Sequence, residues 1–316
     1  MSKTLIYRII DLALAPMVAL ACLPMKFARR RSMRDLPFTS SIFRKMGIFP
    51  IRNHYYEPLF DMTNVDLSGT PRDLPGIDLR QGEQRKLLET FNGSDMPENL
   101  EQPAASDTHF TYQNRNFGGG DADLWFHVIR HFRPGKIFEI GSGHSTRMAR
   151  IALQKNVSDD SDYQCKHICI EPYEMPWLEK LGIEIRRQKL EDVDLNMFDE
   201  LGENDILFVD SSHMIRPGGE VLIEYLQLMP RLKPGVIVHV HDIFTPRDYP
   251  AKWLEQPRFW NEQYLLEAFL SHNHDWEILL AGNYLAHSET ELMSKACAYF
   301  KAGKHNPGSI YLRKKS

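Results

Sequence analysis

From Asp121 onward, short apolar segments alternate with segments of helical periodicity, and this alternation constrains the fold more than any other feature of the chain. Strands that alternate with helices form a parallel sheet with helices packed on both faces. We therefore predict an α/β fold, a Rossmann-like, doubly wound and mostly parallel sheet, with an N-terminal helical and irregular extension. The predicted strands are residues 136–140, 167–171, 184–187, 206–210 and 236–241, and the predicted helices are 121–132, 145–154, 177–181 and 220–232.

Composition divides the 316-residue chain into three parts. Residues 1–60 form an apolar and basic segment. Residues 61–120 are rich in Pro, Gly, Asn and Asp, which is typical of a connecting and capping region. Residues 121–316 hold the alternating strands and helices, so we expect the chemistry to lie there.

The charge of the chain excludes one large class of partners. There are 38 Lys and Arg residues against 42 Asp and Glu, a net charge of -4. An acidic chain has no general attraction for nucleic acid. We therefore predict a small-molecule or glycan substrate, with no nucleic acid, and the sequence gives no indication of the oligomeric state.

The first sixty residues carry ten basic against three acidic side chains, which is the reverse of the overall balance. An apolar run over residues 5–25 is followed by Lys26 and the arginines at 29–31. An interfacial helix with a cationic flank on anionic headgroups accounts for both features, so we predict peripheral membrane contact through residues 5–31. A helix packed on the protein itself or on another subunit is an equal alternative, and a membrane-spanning helix is a third.

Cysteine usage indicates a reducing compartment. The four cysteines show neither the paired spacing of a zinc site nor a disulfide framework. The basic cluster also follows the apolar run, whereas a secretory signal has it before. We predict a cytoplasmic protein that lies at the inner face of the cytoplasmic membrane.

The first predicted strand leads into a glycine turn and then a helix, which is the arrangement of a cofactor-binding loop. Gly141 and Gly143 have no Cβ, so their backbone allows a ligand to approach closely. The second strand ends at Glu171, where a carboxylate can accept hydrogen bonds from the two hydroxyls of a ribose. Thr146 occupies the position of the third glycine in the dinucleotide fingerprint, which weakens a nicotinamide interpretation. The acid before the turn, Glu139, suits a cofactor that carries an ammonium group.

These motifs resemble those of the class I S-adenosylmethionine (SAM) dependent methyltransferases. The segment 139–143 is similar to the first motif of that superfamily, and Glu171 is similar to its ribose-binding acid. Further segments, at residues 117–121, 205–213, 239–244 and 259–264, resemble a largely uncharacterised bacterial branch. The resemblance implies SAM as the cofactor. It also implies that the glycines pass under the methionine moiety, that Glu139 or a nearby water meets the amino group, and that Glu171 holds the ribose. The predicted cofactor-binding residues are Glu139, Gly141, Ser142, Gly143, Ser145, Glu171 and Asp210.

Polar side chains at the ends of the fourth and fifth strands are the candidates for methyl transfer. In one interpretation, Asp210 and Asp242, with His241 as a further candidate ligand, hold a divalent cation such as magnesium. In the other there is no metal, and His213 or His241 is the general base while Asp242 orients the imidazole. A third interpretation makes the polar residues caps of the strand ends.

Aromatic residues between 248 and 264 predict either an acceptor wall or the packing of a helix that runs to residue 272. We predict O-methylation of a hydroxyl on a saccharide, glycolipid or secondary metabolite. The alternatives are a nicotinamide-dependent oxidoreductase and a non-catalytic, SAM-binding scaffold protein.

Overall fold

Strands from two parts of the chain form one sheet in the computed structural model, which describes residues 3–31, 33–173, 175–256 and 258–316. Within these ranges the sheet has seven strands in the order β3-β2-β1-β4-β5-β7-β6. The strands are β1 Lys136–Ile140, β2 Lys166–Ile170, β3 Glu184–Arg186, β4 Ile206–Val209, β5 Ile237–Val240, β6 Trp276–Ala281 and β7 Ile310–Lys314.

The pairing of the strands gives a mostly parallel sheet. The neighbours from β3 to β5 pair in parallel. Strand β7 runs antiparallel to both β5 and β6, between which it lies. Strand order reverses between β1 and β4, so the carboxyl ends of these two strands border the crevice in which ligands of doubly wound sheets bind. The predicted fold class is confirmed.

Helices cover both faces of the sheet. One apolar cluster joins β1, β4 and β5 to helices on one face, and a second joins alternate residues of the same strands to helices on the other. This alternation follows from the two-residue period of a strand. A π-helical stretch, Glu224–Leu228, connects α6 to α7. The helices are α1 Lys3–Arg30, α2 Pro37–Met46, α3 Gln81–Glu89, α4 Asp121–Phe132, α5 His144–Asp159, α6 Glu220–Ile223, α7 Met229–Arg231, α8 Ala251–Glu255, α9 Glu262–Leu270, α10 Gly282–Ser288 and α11 Thr290–Ala296.

Two strands, β6 and β7, are absent from the sequence prediction. Strand β7 contains Arg313 and Lys314, and its residues pair with β5 on one side and β6 on the other. The charged residues at the end of β7 weaken the apolar pattern by which a strand is recognised in the sequence. The position of β7 between β5 and β6, which both precede it in the chain, is set by tertiary pairing. A local pattern carries little information about such an insertion.

The chain forms two compact units, one of residues 1–66 and 252–259, the other of residues 67–251 and 260–316. The first contains α1 and α2, and the second contains the sheet and the helices that cover it. Within the first unit Arg29 forms an ion pair with Glu57, and the Arg29 guanidinium lies 4.6 Å from the ring centroid of Phe49. The three-part division drawn from composition stays a prediction.

Candidate active site

The glycine turn after β1 is held tightly against the end of β4. Gly141 has φ +81°, and a Cβ at this position would collide with the backbone carbonyl oxygen of Asp210. The amide of Asp210 in turn donates to the carbonyl oxygen of Ile140 at 2.9 Å. Gly143 differs, because its backbone is extended and a Cβ added there would have Cε of Met175, at 4.0 Å, as its nearest neighbour. The space over Gly143 is therefore open to a ligand.

Glu139 lies fully buried beneath this turn. One carboxylate oxygen accepts from Thr146 Oγ1 at 2.7 Å and from Ser145 Oγ at 3.3 Å, and the other contacts His167 Nε2 at 2.6 Å. Thr146 Oγ1 also accepts from the amide of Gly143 at 3.1 Å. Glu139 thereby links β1, β2 and the first turn of α5, so it supports the turn from below. A contact between Glu139, or a nearby water, and the amino group of the cofactor stays a prediction.

Glu139, His167 and Cys169 have the residue types of a metal site, but Glu139 and His167 are joined by a hydrogen bond. Glu139, His167 and Cys169 each offer a donor atom within 4.8 Å of the others. The 2.6 Å separation of Glu139 Oε1 and His167 Nε2 is a direct hydrogen bond, and the second carboxylate oxygen is already used. The hydrogen bonds of Glu139 therefore account for the proximity of these three side chains.

Glu171 lies where the sequence places it, directly after β2 and beside the glycine turn. Its two carboxylate oxygens accept from the backbone amides of Ser142, at 3.2 Å, and Tyr173, at 3.1 Å. These hydrogen bonds fix the carboxylate at the carboxyl edge of the sheet. An ionised carboxylate can accept several hydrogen bonds, so these backbone contacts are compatible with the predicted contact to the ribose hydroxyls.

Three of the predicted reacting residues converge beside the turn. Asp210, His213 and Asp242 each place a ligand atom within 4.8 Å of the other two. His213 Nε2 lies 3.3 Å from Asp210 Oδ1 and 3.5 Å from Asp242 Oδ2. The Asp210 side chain is 36% exposed, against 5% for His213, so Asp210 is the member most open to a bound molecule.

Two members of this cluster have an unusual backbone conformation. His213 and Asp242 both have φ +58°, in the left-handed region that residues other than glycine seldom adopt. Such residues cost on the order of 1 kcal/mol or more and are found disproportionately at functional sites. The surrounding structure therefore stabilises the strained backbone at both residues, and this fixes the positions of the His213 imidazole and the Asp242 carboxylate.

A buried carboxylate orients His213 from the other side. Glu262, at the start of α9, is fully buried and contacts His213 Nδ1 at 2.7 Å. Its second oxygen accepts from Tyr225 OH at 2.9 Å. The Trp260 ring lies 4.5 Å from the imidazole, centroid to centroid. Glu262 is the site residue that sequence reasoning missed, although it falls inside the aromatic stretch that drew attention to residues 248–264.

The charges around His213 determine its protonation. Burial opposes the charged imidazolium, but the Asp210 and Glu262 carboxylates outweigh burial and raise the pKa of His213 well above its ordinary value. The pKa of Asp210 is lowered, because the hydrogen bond from His213 and the positive charges of His241 and His213 overcome the opposing effect of burial. The neighbouring carboxylates thus favour the charged form of His213 over the neutral form.

His241 lies apart from this contact set. Its Nε2 is 3.7 Å from Asp242 Oδ1, and its ring packs 5.2 Å from that of Phe117. Burial opposes its charge, but Asp242, Asp210 and Asp121 raise the pKa of His241. Asp121, at the start of α4, has its own pKa raised to about 6 by burial. His241 therefore affects the cluster through its charge, which lowers the pKa of Asp210, and not through a direct hydrogen bond to Asp210 or His213.

Comparison with known proteins agrees with this arrangement. A family described as a methyltransferase domain matches residues 138–243, which include the glycine turn, Glu171 and the Asp210, His213 and Asp242 cluster. An uncharacterised protein of Archaeoglobus fulgidus is 34% identical over 182 residues, covering 52% of this chain and 80% of the relative.

Two solved structures are also similar, at lower levels. One is an O-methyltransferase from Bacillus cereus in complex with SAH, 12% identical, with a TM-score of 0.41, covering 78% of this chain and 92% of the other. The second is the plantazolicin methyltransferase BpumL in complex with SAH, 13% identical, with a TM-score of 0.40, covering 75% and 98%. Both TM-scores are too low to bear on function.

The family match agrees with the resemblance of the motifs and gives no support to the nicotinamide alternative, whereas the doubly wound fold is compatible with both classes. SAM is accordingly the cofactor, while the individual residue roles stay predictions. Residues 138–243 therefore form a methyltransferase domain of the class I SAM-dependent type.

Proposed function

We propose that the protein transfers the methyl group of SAM to a hydroxyl oxygen of a small-molecule or glycan acceptor. One observation carries this proposal: Asp210, His213 and Asp242 converge beside the glycine turn. Methyl transfer from a sulfonium is an in-line displacement, in which the enzyme aligns the acceptor and removes one proton. A hydroxyl holds its proton strongly, so it needs the carboxylates that this cluster provides.

The cluster also fits a divalent cation: its two carboxylates suit magnesium, and its imidazole suits a transition metal. Asp210 Oδ1, His213 Nε2 and Asp242 Oδ2 are the donor atoms, and they face one another. Glu262 on His213 Nδ1 matches the outer carboxylate that commonly orients a metal-binding histidine. A cation bound here would lower the pKa of a hydroxyl that coordinates it. We propose that these three residues hold it, with His213 as the histidine ligand in place of His241.

The metal-free alternative assigns a different role to His213. In the absence of a metal, both ring nitrogens of His213 already contact carboxylates, those of Asp210, Asp242 and Glu262, so the imidazole is placed to orient these carboxylates. In that case Asp210, the most exposed of the group, is the group placed to accept the proton. The general-base role of His213 or His241 stays a prediction, and the contacts favour the carboxylates over either imidazole.

The aromatic surroundings support an acceptor with a ring. The partly buried Trp260 ring contacts His213, whereas Tyr249, 6.4 Å from Trp260 centroid to centroid, is buried. Aromatic faces beside a reacting hydroxyl suit a sugar or another ring system. We therefore propose a saccharide, a glycolipid or a secondary metabolite as the acceptor, methylated at the inner face of the cytoplasmic membrane, with contact through residues 5–31.

The test is an acceptor screen with isotope-labelled SAM, in which hydroxyl and amine acceptors are compared with and without magnesium and with a chelator. Asp242→Asn keeps the size of the side chain and tolerates the left-handed backbone, so we expect a stable protein with activity reduced by at least about a hundredfold. Asp248→Asn, a change in a carboxylate that contacts Tyr264, is the matched control and should retain activity.

Each arm of the screen has a result that would contradict the proposal. Full activity of Asp242→Asn would remove the cluster from the reaction. Labelling of amines alone would overturn the assignment to oxygen. Unchanged turnover in the chelator would exclude the cation and leave the carboxylate mechanism.

A further inference from the structure

The longest helix of the described chain is apolar on every side. Leu12, Met17 and Val18 are 76%, 66% and 56% exposed. At 100° per residue, Met17 and Val18 point about 140° and about 240° around the helix axis from Leu12, so the three side chains face different sides. Helix α1 is long and apolar enough to cross a membrane by length and composition. An interfacial helix has one polar face, whereas a helix that is apolar all round is buried in a core or in a bilayer.

The dimensions and charges of α1 also fit a bilayer. At 1.5 Å per residue its 28 residues extend about 40 Å, and the hydrocarbon core of a bilayer is about 30 Å thick. In the apolar run that precedes Lys26, only Arg8 and Asp11 are charged, and they lie near its start. Lys26, Arg30 and Arg31 follow as an exposed basic flank.

The helix that follows has the pattern of an interfacial element. Phe38, Ile42 and Met46 of α2 recur every four residues and are 86%, 59% and 67% exposed. Arg44 and Lys45 on the same short helix are exposed as well. One apolar stripe beside cationic side chains is the pattern of a helix that lies in the headgroup region of an anionic membrane.

We infer that α1 and α2 form a two-part membrane anchor, in which α1 spans the bilayer and α2 lies in its cytoplasmic, anionic interface. The basic flank after α1 sets the orientation, because loops rich in Lys and Arg stay on the cytoplasmic side. The complementary charge of anionic headgroups favours a lipid surface over a protein partner. This inference does not depend on the acceptor or on the proposed chemistry.

The first test is extraction of membranes that contain the full-length protein. We expect the protein to remain in the membrane pellet at alkaline pH and to need detergent for release. A double variant, Leu14→Asp with Val18→Asp, places two charges in the middle of α1 and should move the protein to the soluble fraction. Release of the unchanged protein at alkaline pH would show peripheral binding, and recovery as a soluble oligomer would show a protein partner; either result overturns the inference.

The second test measures orientation and depth with single cysteines in a background that lacks Cys22 and Cys165. In intact spheroplasts an impermeant maleimide should label Thr4→Cys and should label Thr70→Cys only after lysis. A polarity-sensitive dye should emit at shorter wavelength on Ile42→Cys than on Lys45→Cys. Equal labelling of the first pair would contradict the span, and equal emission of the second pair would contradict the interfacial position of α2.

Discussion

At the residue scale, the two glycines of the cofactor turn have different physical requirements. Gly141 has a positive φ and no room for a Cβ beside Asp210, so we expect Gly141→Ala to lower the free energy of unfolding by roughly 2 kcal/mol or more. Gly143→Ala should unfold like the parent protein and bind SAM more weakly, because the added methyl enters the open space over the turn. Thermal unfolding without ligand, followed by SAM titration, separates the two. Equal stability of both variants would contradict the close approach of β1 and β4.

A buried histidine away from the site provides a pH prediction. Burial lowers the pKa of His127 to about 4, and its ring stacks 5.1 Å from that of Phe91. The unfolded chain binds the proton more readily, with a pKa of about 6.5, so this group favours folding above that pH and opposes it as pH falls toward 4. From pH 7 to pH 5 we expect His127 alone to remove about 2 kcal/mol of stability.

The measurement is urea unfolding of the parent and of His127→Phe at both pH values. The variant keeps an aromatic ring against Phe91 and has no proton to gain, so its stability should fall less between pH 7 and pH 5. Parallel pH dependence of the two proteins would show that the burial of His127 has no such effect.

Single residues also show where sequence reasoning reaches its limit. The positions of Glu171 and of the Asp210, His213 and Asp242 cluster could be predicted, because residues at the carboxyl ends of neighbouring parallel strands meet at one edge. The contacts of Glu139 with Thr146 and His167, and the place of Glu262 behind His213, depend on which side chains pack across helices and strands. No local pattern encodes those partners.

At the element scale, the first turn of α5 depends on one hydroxyl. Thr146 Oγ1 joins the Gly143 amide to Glu139, so Thr146→Val should leave two buried polar groups less well satisfied at nearly unchanged volume. We expect a loss of about 1–3 kcal/mol in the free energy of unfolding, together with weaker SAM binding. Thr146→Ser keeps the hydroxyl and is the control. Denaturant unfolding of the three proteins measures the effect, and a Val variant as stable as the Ser variant would contradict the role of this hydrogen bond.

Elements with strong local periodicity can be predicted well. The predicted bounds of helix α4 match the observed ones, and those of the strands from β1 to β5 agree within about one residue at each end. The two antiparallel strands and the π-helical stretch within the helix after β4 lie outside the prediction. The position of β7 between β5 and β6 depends on tertiary pairing, and no residue pattern in the helix after β4 marks the π-helical stretch.

At the scale of the whole molecule, two compact units carry two different surfaces. The unit with the sheet contains the glycine turn, Glu171 and the acidic cluster. The other contains α1, whose apolar side chains are exposed on all sides. The charge asymmetry of the sequence predicts membrane contact too, but it favours a helix lying on the surface. The exposure around the full circumference of α1 is the observation that favours a span.

The central claim is that SAM binds at the turn after β1 with its ribose on Glu171. Calorimetric titration of the full-length protein with SAM and with its demethylated product tests this claim most directly. We expect Glu171→Ala to weaken binding by about ten- to a hundredfold, because it removes a charged hydrogen-bond acceptor. The control, Glu184→Ala, changes an exposed carboxylate on β3 and should bind as the parent does. Equal affinity of Glu171→Ala and the parent, or no binding by the folded parent protein, would contradict the account.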